Sequence, residues 1–467
     1  MSIAQVPRIP LPPPRTGVVT LLGRLAARLR TTPGRLEAAL LLLVAGCGLF
    51  WVLAAWVFSD LSGAIRTVGR DTVPSIVAAE KINVALADIN ANLANAMLAK
   101  DDDSAPSWQT IRKDAEAVAH ALITAGENVT YGTEEEDPIF AVTSNLVVYF
   151  QRLGQARARM QADPLPDARA ASNLMQNTIL PAAFALDEAN FRHLTASYDA
   201  HRTHLPVALL ALLLGVGALG TLLIGTQLIL TRLTRRLLNP PLLGATILIC
   251  ASAAYLLYAF VQANAELRAA KQDSFDSVHA LWKARAVAYD ANAEESLYLL
   301  ERGSPLQRDH NEAFFKKVAL LLAGMPPAQA VSQATTGRYQ SIKGFIGDEL
   351  NNITYPGERE AALEMLRTFV AYLDIDRQLR NLESAGHHAE AFALDIGTAP
   401  GQSDWAFDRF DKALTKVLDI NQRYFATQIE SALSLVAWIP WTVAATALAV
   451  AALSWLGLRP RIDEYRT

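Results

Sequence analysis

The chain has 467 residues, 51% of them apolar, and a formal charge of −4. That length allows two or three domains, and two cysteines are too few for a disulfide scaffold. The apolar residues gather in four uncharged runs of about 20 residues or more, which excludes an ordinary water-soluble domain and predicts an all-α membrane protein.

The leader, 1–37, carries Arg8, Arg15, Arg24, Arg28, Arg30 and Arg35, and no acid before Glu37. Within it Leu21, Leu22, Leu25 and Leu29 lie opposite Arg24 and Arg28, the pattern of a basic amphipathic helix. Such a helix suits either anionic membrane lipid or a protein partner. The run 38–58 is too long for the core of a cleaved signal peptide and reads as an uncleaved first span.

Residues 59–205 follow as a four-helix bundle. Ile82, Leu86, Ile89, Leu93 and Met97 recur at three- and four-residue steps, marking an amphipathic first helix. A second helix is predicted over 105–125 and a third over 139–161, separated by TYGTEEEDP. A fourth runs after DPLP through Pro181 into a second span, 206–230. The joint 231–241 holds Arg232, Arg235 and Arg236, and a third span follows at 242–262.

The second outer segment, 263–430, predicts helices over 264–302, 305–350 with a break at GMPPAQ, 357–383 and, briefly, 387–396. A last helix, 403–457, contains the fourth span at 431–457 and leads to the tail 458–467, with Arg459, Arg461, Tyr465 and Arg466.

Charge orients these pieces. Residues 59–204 hold 19 acids and 12 bases, and 263–430 hold 24 and 18, whereas leader, joint and tail are rich in arginine. The positive-inside bias therefore places both termini and the joint in the cytoplasm and two large domains outside a plasma membrane. The acidic balance of the large segments argues against nucleic acid as a partner.

Residues 65–98 align without a gap on 267–300 at a shift of 202. Arg66, Asp71, Ser75, Ala78, Lys81, Asp88, Asn90, Ala91 and Leu98 recur as Arg268, Asp273, Ser277, Ala280, Lys283, Asp290, Asn292, Ala293 and Leu300. The chain thus reads as a tandem duplication of a span–bundle–span unit. Both copies share one orientation, unlike the inverted repeats of many transporters.

Catalytic motifs are missing from the sequence: there is no phosphate-binding glycine loop, paired-histidine zinc motif or nucleophile elbow. No catalytic, cofactor-binding or metal-ligating residue is expected. His387 and His388 read as solvated, and His201 and His204 as interfacial residues at a helix end. Asp88, Asn92 and Asn95 in one copy and Asp290 and Glu294 in the other form a polar patch on the first helix. It reads as a solvated flank or as an outer partner-docking face. Gly217, Thr221 and Gly225, with Ala445 and Ala449, form small-residue ridges that serve packing within the monomer or a homodimer. The candidate cytoplasmic surface comprises Arg24, Arg28, Arg232, Arg235, Arg236, Arg459, Arg461, Tyr465 and Arg466.

The phrases ASNLMQNTILPAA at 171–183, RRLLNPPLLGAT at 235–246, ARAVAYDANAEESLYLL at 284–300 and the terminal LRPRIDEYR resemble the GlnX family of actinobacterial four-span membrane proteins. The outer bundles are also similar in architecture to the four-helix sensor domains of chemoreceptors. The family resemblance implies a relay, from an external aspartate/glutamate-binding lipoprotein to a cytoplasmic serine/threonine kinase. Two other readings stay open: a receptor that binds a small ligand directly in a bundle, and a scaffold or accessory subunit of a transporter.

Overall fold

The computed structural model describes residues 31–100, 105–234 and 239–464. Among these residues there is no strand, and the chain divides into two compact units.

The smaller unit comprises the described residues of Met1–Asp60, His204–Val261 and Val436–Thr467. It draws on α1 (Thr32–Arg66), α6 (Leu180–Thr234), α7 (Pro240–Arg268) and α15 (Ile439–Glu464), each of which has a stretch long and apolar enough to cross a membrane. On α1 a buried stripe, Leu43, Cys47, Phe50, Ala54 and Val57, repeats every three or four residues. Large side chains off that stripe, Leu41, Leu42, Leu49 and Val52, are exposed. An apolar exterior of this kind fits hydrocarbon rather than water.

Close helix approach in this unit uses glycines other than those of the expected ridge. A Cβ on Gly46 would meet Leu219 and Leu222 at 3.3 Å, and one on Gly215 would meet Leu53 at 3.2 Å. Gly217 and Gly225 have no neighbour within 4 Å, and Ala445 is exposed, so both ridges face out of this unit.

The larger unit comprises Leu61–Thr203 and Gln262–Leu435. From the first half come α2 (Val73–Ala99), α3 (Pro106–Glu127), α4 (Thr133–Ala158), α5 (Leu165–Leu174) and the start of α6. The second half adds α8 (Asp276–Leu300), α9 (Leu306–Leu322), α10 (Pro327–Thr335), α11 (Phe345–Asn351), α12 (Glu358–Ser384), α13 (His388–Asp395) and α14 (Ser403–Ala437). The two outer segments, expected as separate bundles, form one body here, because α2 packs along α8 as well as against α3.

The reason lies in α2. Its stripe of Ile82, Leu86, Ile89, Leu93 and Met97 enters the core of the first half with Trp108, Tyr149 and Met175. Its other face is mostly alanine and short polar side chains, including Ala87, Asn90, Ala91 and Asn95, and it is buried too. The facing α8 carries Ala284, Ala288, Ala291 and Ala293, and small residues on both helices permit close approach. Val84 belongs to the core of the second half, beside Val287 and Phe410.

Element limits differ from expectation at several points, among them Trp438, where the predicted helix 403–457 breaks between α14 and α15. α4 begins at Thr133, taking in Glu134, Glu135 and Glu136, because acids favour the positive end of a helix, and it carries Pro138 within its second turn. The predicted helix 305–350 breaks twice, the second time across 336–344, where Gly337 and Gly344 adopt positive φ of 76° and 84°.

Candidate functional site

Among the described residues, three π-helical segments interrupt the long helices: Thr67–Thr72, Met175–Ile179 and Ala269–Phe275. The first and third begin 202 residues apart, the same offset that aligns the two halves in sequence. A π segment inserts a residue into the helical register and is often functional.

Each of these two segments is held by a tyrosine from a matching turn, NVTYG at 128–132 and NITYPG at 352–357. In the first turn the backbone N–H groups of Thr130 and Tyr131 donate to Glu135 Oε2 at 2.7 and 2.6 Å. In the second, those of Thr354 and Tyr355 donate to Glu358 Oε2 at 2.6 and 2.8 Å. A carboxylate thus folds each turn from the helix that follows it. The Tyr131 hydroxyl then reaches Thr72 Oγ1 at 3.4 Å, and the Tyr355 hydroxyl reaches Ser274 Oγ at 2.6 Å.

The second contact is the stronger. Ser274 Oγ donates to Gln428 Oε1 at 2.8 Å, and Gln428 Nε2 donates back to the Tyr355 hydroxyl at 3.0 Å, closing a ring of three hydrogen bonds. Asn352 Nδ2 also donates to the carbonyls of Gln272 and Asp273, which lie in the π segment. The Tyr355 ring stacks on Tyr424 with centroids 4.0 Å apart, as Tyr131 does on His193 at 3.8 Å. In the sequence TYGTEEEDP looks like a mere separator between helices, and the signal for its role is the recurrence of N-x-T-Y before a glycine and a glutamate.

A chain of buried polar groups runs along the seam between the halves. At one point Glu80 of α2, Asp187 of α6 and His279 of α8 converge; His279 Nδ1 lies 2.9 Å from Glu80 Oε1 and 3.6 Å from Asp187 Oδ1. Burial, with the neighbouring charge of Asp187, holds the Glu80 carboxyl well above its ordinary value. Burial likewise lifts Asp187 to about 7 and, with Lys283 and Lys271 nearby, lowers His279 to about 3.

Farther along, Arg285 clamps Asp411 through two bonds of 2.6 and 2.8 Å beneath Trp282 and Tyr289. Asp88 stands beside Asp114, and burial and that neighbouring charge raise its pKa well above the usual carboxylate range. Glu294 accepts from Gln176 Nε2 at 2.7 Å and pairs with His310 and Lys317 at 2.6 and 2.5 Å. Burial alone would raise Glu294, but His310 and Lys317 bring it below its ordinary value. Lys317 also holds Asp290 at 2.8 Å, and Arg169 grips Glu301 at 2.5 and 2.6 Å. A third group centres on Glu295, which accepts from Ser403 at 2.8 Å and from Tyr372; burial and Asp376 push it up to about 8.

The patch expected on the outside is therefore turned inward. Asn92 donates to Asp88 at 2.6 Å, Asn95 accepts from Ser296 at 2.7 Å and reaches Asp404 at 3.5 Å, and Glu294 is buried. Asp88 and Asp290 are half-buried among the partners just named. The physical reason is pairing: Asn95, Asp290 and Glu294 each meet a complementary group from another helix, while Asn92 and Asp88 pair with each other along α2. Glu80, Asp187, His279, Arg285, Asp411 and Lys317 escaped sequence reasoning because their partners are distant in the chain.

Of the candidate cytoplasmic surface, Arg24, Arg28, Arg235, Arg236, Tyr465 and Arg466 lie outside the described residues, as does the leader helix. Arg232 is exposed, Arg459 lies over Trp455 at 4.6 Å, and Arg461 pairs with Glu464 at 2.7 Å. Among the histidines, His201 is buried and bonded to Asn264 at 3.1 Å, while His387 and His388 pair with Glu390 and Glu383.

One cavity of about 280 Å³ opens on the seam, lined by Arg169, Gln176, Glu294, Glu301, Asp309 and His310 among others. A second, about 290 Å³ and largely apolar, lies within the second half between Phe314, Phe315, Met325 and Leu373, with Arg380 over the Phe314 ring at 4.4 Å.

Residues 64–199 match the family model for an actinobacterial sensor domain. No curated protein and no solved structure matches the chain. The matched segment runs from the end of α1 through α2 to α5 into α6 and holds Glu80, Asp88 and Asp187 of the seam.

Proposed function

We propose that this chain is a non-enzymatic membrane sensor that passes the state of an extracytoplasmic surface to the cytoplasm through its long helices. The observation that carries this is the sensor-domain match at 64–199, whose first and last helices belong to runs, Thr32–Ala99 and Leu165–Leu233, that each hold a candidate span. Shifts of an ångström or two along packed helices are a known switching repertoire. The two tyrosine-pinned π segments are suitable two-state elements, since a π bulge relaxes by moving its extra residue along the helix.

The family resemblance of the sequence supports a narrower form: a loaded aspartate/glutamate-binding lipoprotein docks outside, and a serine/threonine kinase reads the arginine-rich leader, joint and tail inside. With Asn95 and Glu294 buried and Asp88 half-buried, the outer docking surface falls to other residues. Affinity purification from membranes in a gentle detergent tests the relay. Co-purification of a solute-binding lipoprotein and a kinase supports it. Recovery of neither, together with unchanged phosphorylation of the kinase's substrates on deletion, refutes it.

The seam cavity favours a second reading, direct binding of a small polar ligand between the halves. A ligand at a hundredfold excess over its Kd adds about 2.7 kcal/mol. Thermal melting of the purified chain with each amino acid in turn reads this directly, and flat melting points count against it.

A further inference from the structure

We propose that Glu80, Asp187 and His279 form a binding site for a divalent transition-metal ion, of which zinc is the best-fitting probe. The three residues come from three helices, α2, α6 and α8, and from both halves of the larger unit. They are 2%, 1% and 5% exposed, and their ligand atoms all lie within 4.8 Å of one another.

Hydrogen bonding leaves the cluster incomplete. His279 Nδ1 supplies one N–H at most, used on Glu80 Oε1 at 2.9 Å. Glu80 Oε2 and Asp187 Oδ1 are then buried without a hydrogen-bond partner, although buried carboxylate oxygens are normally satisfied. The nearest lysines are engaged elsewhere: Lys283 reaches Glu188 at 3.2 Å, and Lys271 holds Asp276. Two carboxylates facing one imidazole in a dry interior lack a positive centre between them.

An ion supplies that centre, and the spacing suits it. Zinc–nitrogen and zinc–oxygen bonds of about 2.0–2.2 Å in a tetrahedron set ligand atoms about 3.4 Å apart. The two edges from His279 Nδ1, 2.9 and 3.6 Å, bracket that value, and the edge between the carboxylates lies within 4.8 Å, so an ion draws the three groups together by side-chain adjustment. Nitrogen with two carboxylates is a borderline donor set, suited to zinc, manganese or ferrous ion rather than to calcium or magnesium. Phe191 stacks on the imidazole with centroids 3.8 Å apart and planes 6° apart, fixing the ring against rotation. An ion here staples the sensor-like half to the second half.

The test uses the full chain in detergent, stripped with chelator and reloaded with zinc, manganese or cobalt alone. The expected result is one equivalent of zinc by elemental analysis, a higher melting point on loading, and the visible absorption of tetrahedral cobalt. The E80Q/D187N chain keeps side-chain volume and sheds both charges. It is expected to melt cooperatively without metal and to bind zinc at least about 100-fold more weakly. H279Q is a second variant with the same expected loss. A folded wild-type chain that takes up no more metal than the double variant overturns the proposal. So does equal tight binding by both, which places the ion elsewhere.

Discussion

Replacing Tyr355 by phenylalanine removes a single oxygen and tests whether the turns pin the π segments. The hydroxyl donates to Ser274 at 2.6 Å and accepts from Gln428 at 3.0 Å, and Ser274 and Gln428 keep each other at 2.8 Å when it is gone. Two neutral hydrogen bonds are lost, but only Gln428 Nε2 is left without a partner in that ring. The expected cost is about 1–2 kcal/mol. The ring itself, stacked on Tyr424, stays in place. The matching change Tyr131→Phe loses one contact of 3.4 Å to Thr72, near the outer limit of a hydrogen bond, and costs about 0.5 kcal/mol or less. Native-state hydrogen exchange reads both locally, since about 1.4 kcal/mol is tenfold in an opening equilibrium. Amides of Ala269–Phe275 are expected to exchange about tenfold faster in the Tyr355 variant, and those of Thr67–Thr72 less than about threefold faster in the Tyr131 variant. Equal acceleration in the two segments, or a larger effect at Tyr131, refutes the ring of bonds as the source of the pinning.

Glu349 is fully buried, and burial followed by the charge of Glu358 pushes its pKa up to about 8, from an ordinary 4.5. The folded state therefore binds this proton more tightly than the unfolded one. The stability it confers is complete below pH 4.5 and is lost as pH rises through about 8, at up to about 1.4 kcal/mol per unit. E349Q is expected to flatten that decline in a melting series from pH 5 to 9, and an unchanged slope contradicts the assignment. Gly344→Ala places a Cβ 2.6 Å from the Leu320 carbonyl oxygen at a φ of 84°, whereas Gly357→Ala at 83° meets nothing within 4 Å. Denaturant titration is expected to show a loss of more than about 2 kcal/mol for the first and about 1 for the second. Asp411→Ala strands Arg285 with about a fifth of its side chain exposed and is expected to cost about 2–3 kcal/mol. The double variant R285M/D411L is expected to recover most of that loss by the same titration.

The four spans and the helical character of everything between them were legible in the sequence, because hydropathy over 20 residues and a 3.6-residue repeat are local properties. The stripe of Ile82, Leu86, Ile89, Leu93 and Met97 needed no partner to be recognised as a core face. The offset of 202 residues likewise marks the first helix of each half in the sequence itself. What that helix does with its other face was not legible. Alanine, asparagine and aspartate at Asp88, Ala91, Asn92 and Asn95 look the same whether water or another helix lies opposite. Only the tertiary structure brings α8 against them, and with it Ser296 to Asn95 across 201 residues and His279 to Glu80 across 199. Complementarity between distant polar groups is a property of pairs, and one chain read from end to end presents its residues singly. The same holds for the turns: N-x-T-Y is visible twice in the sequence, but that each tyrosine ends on a π segment follows from packing alone.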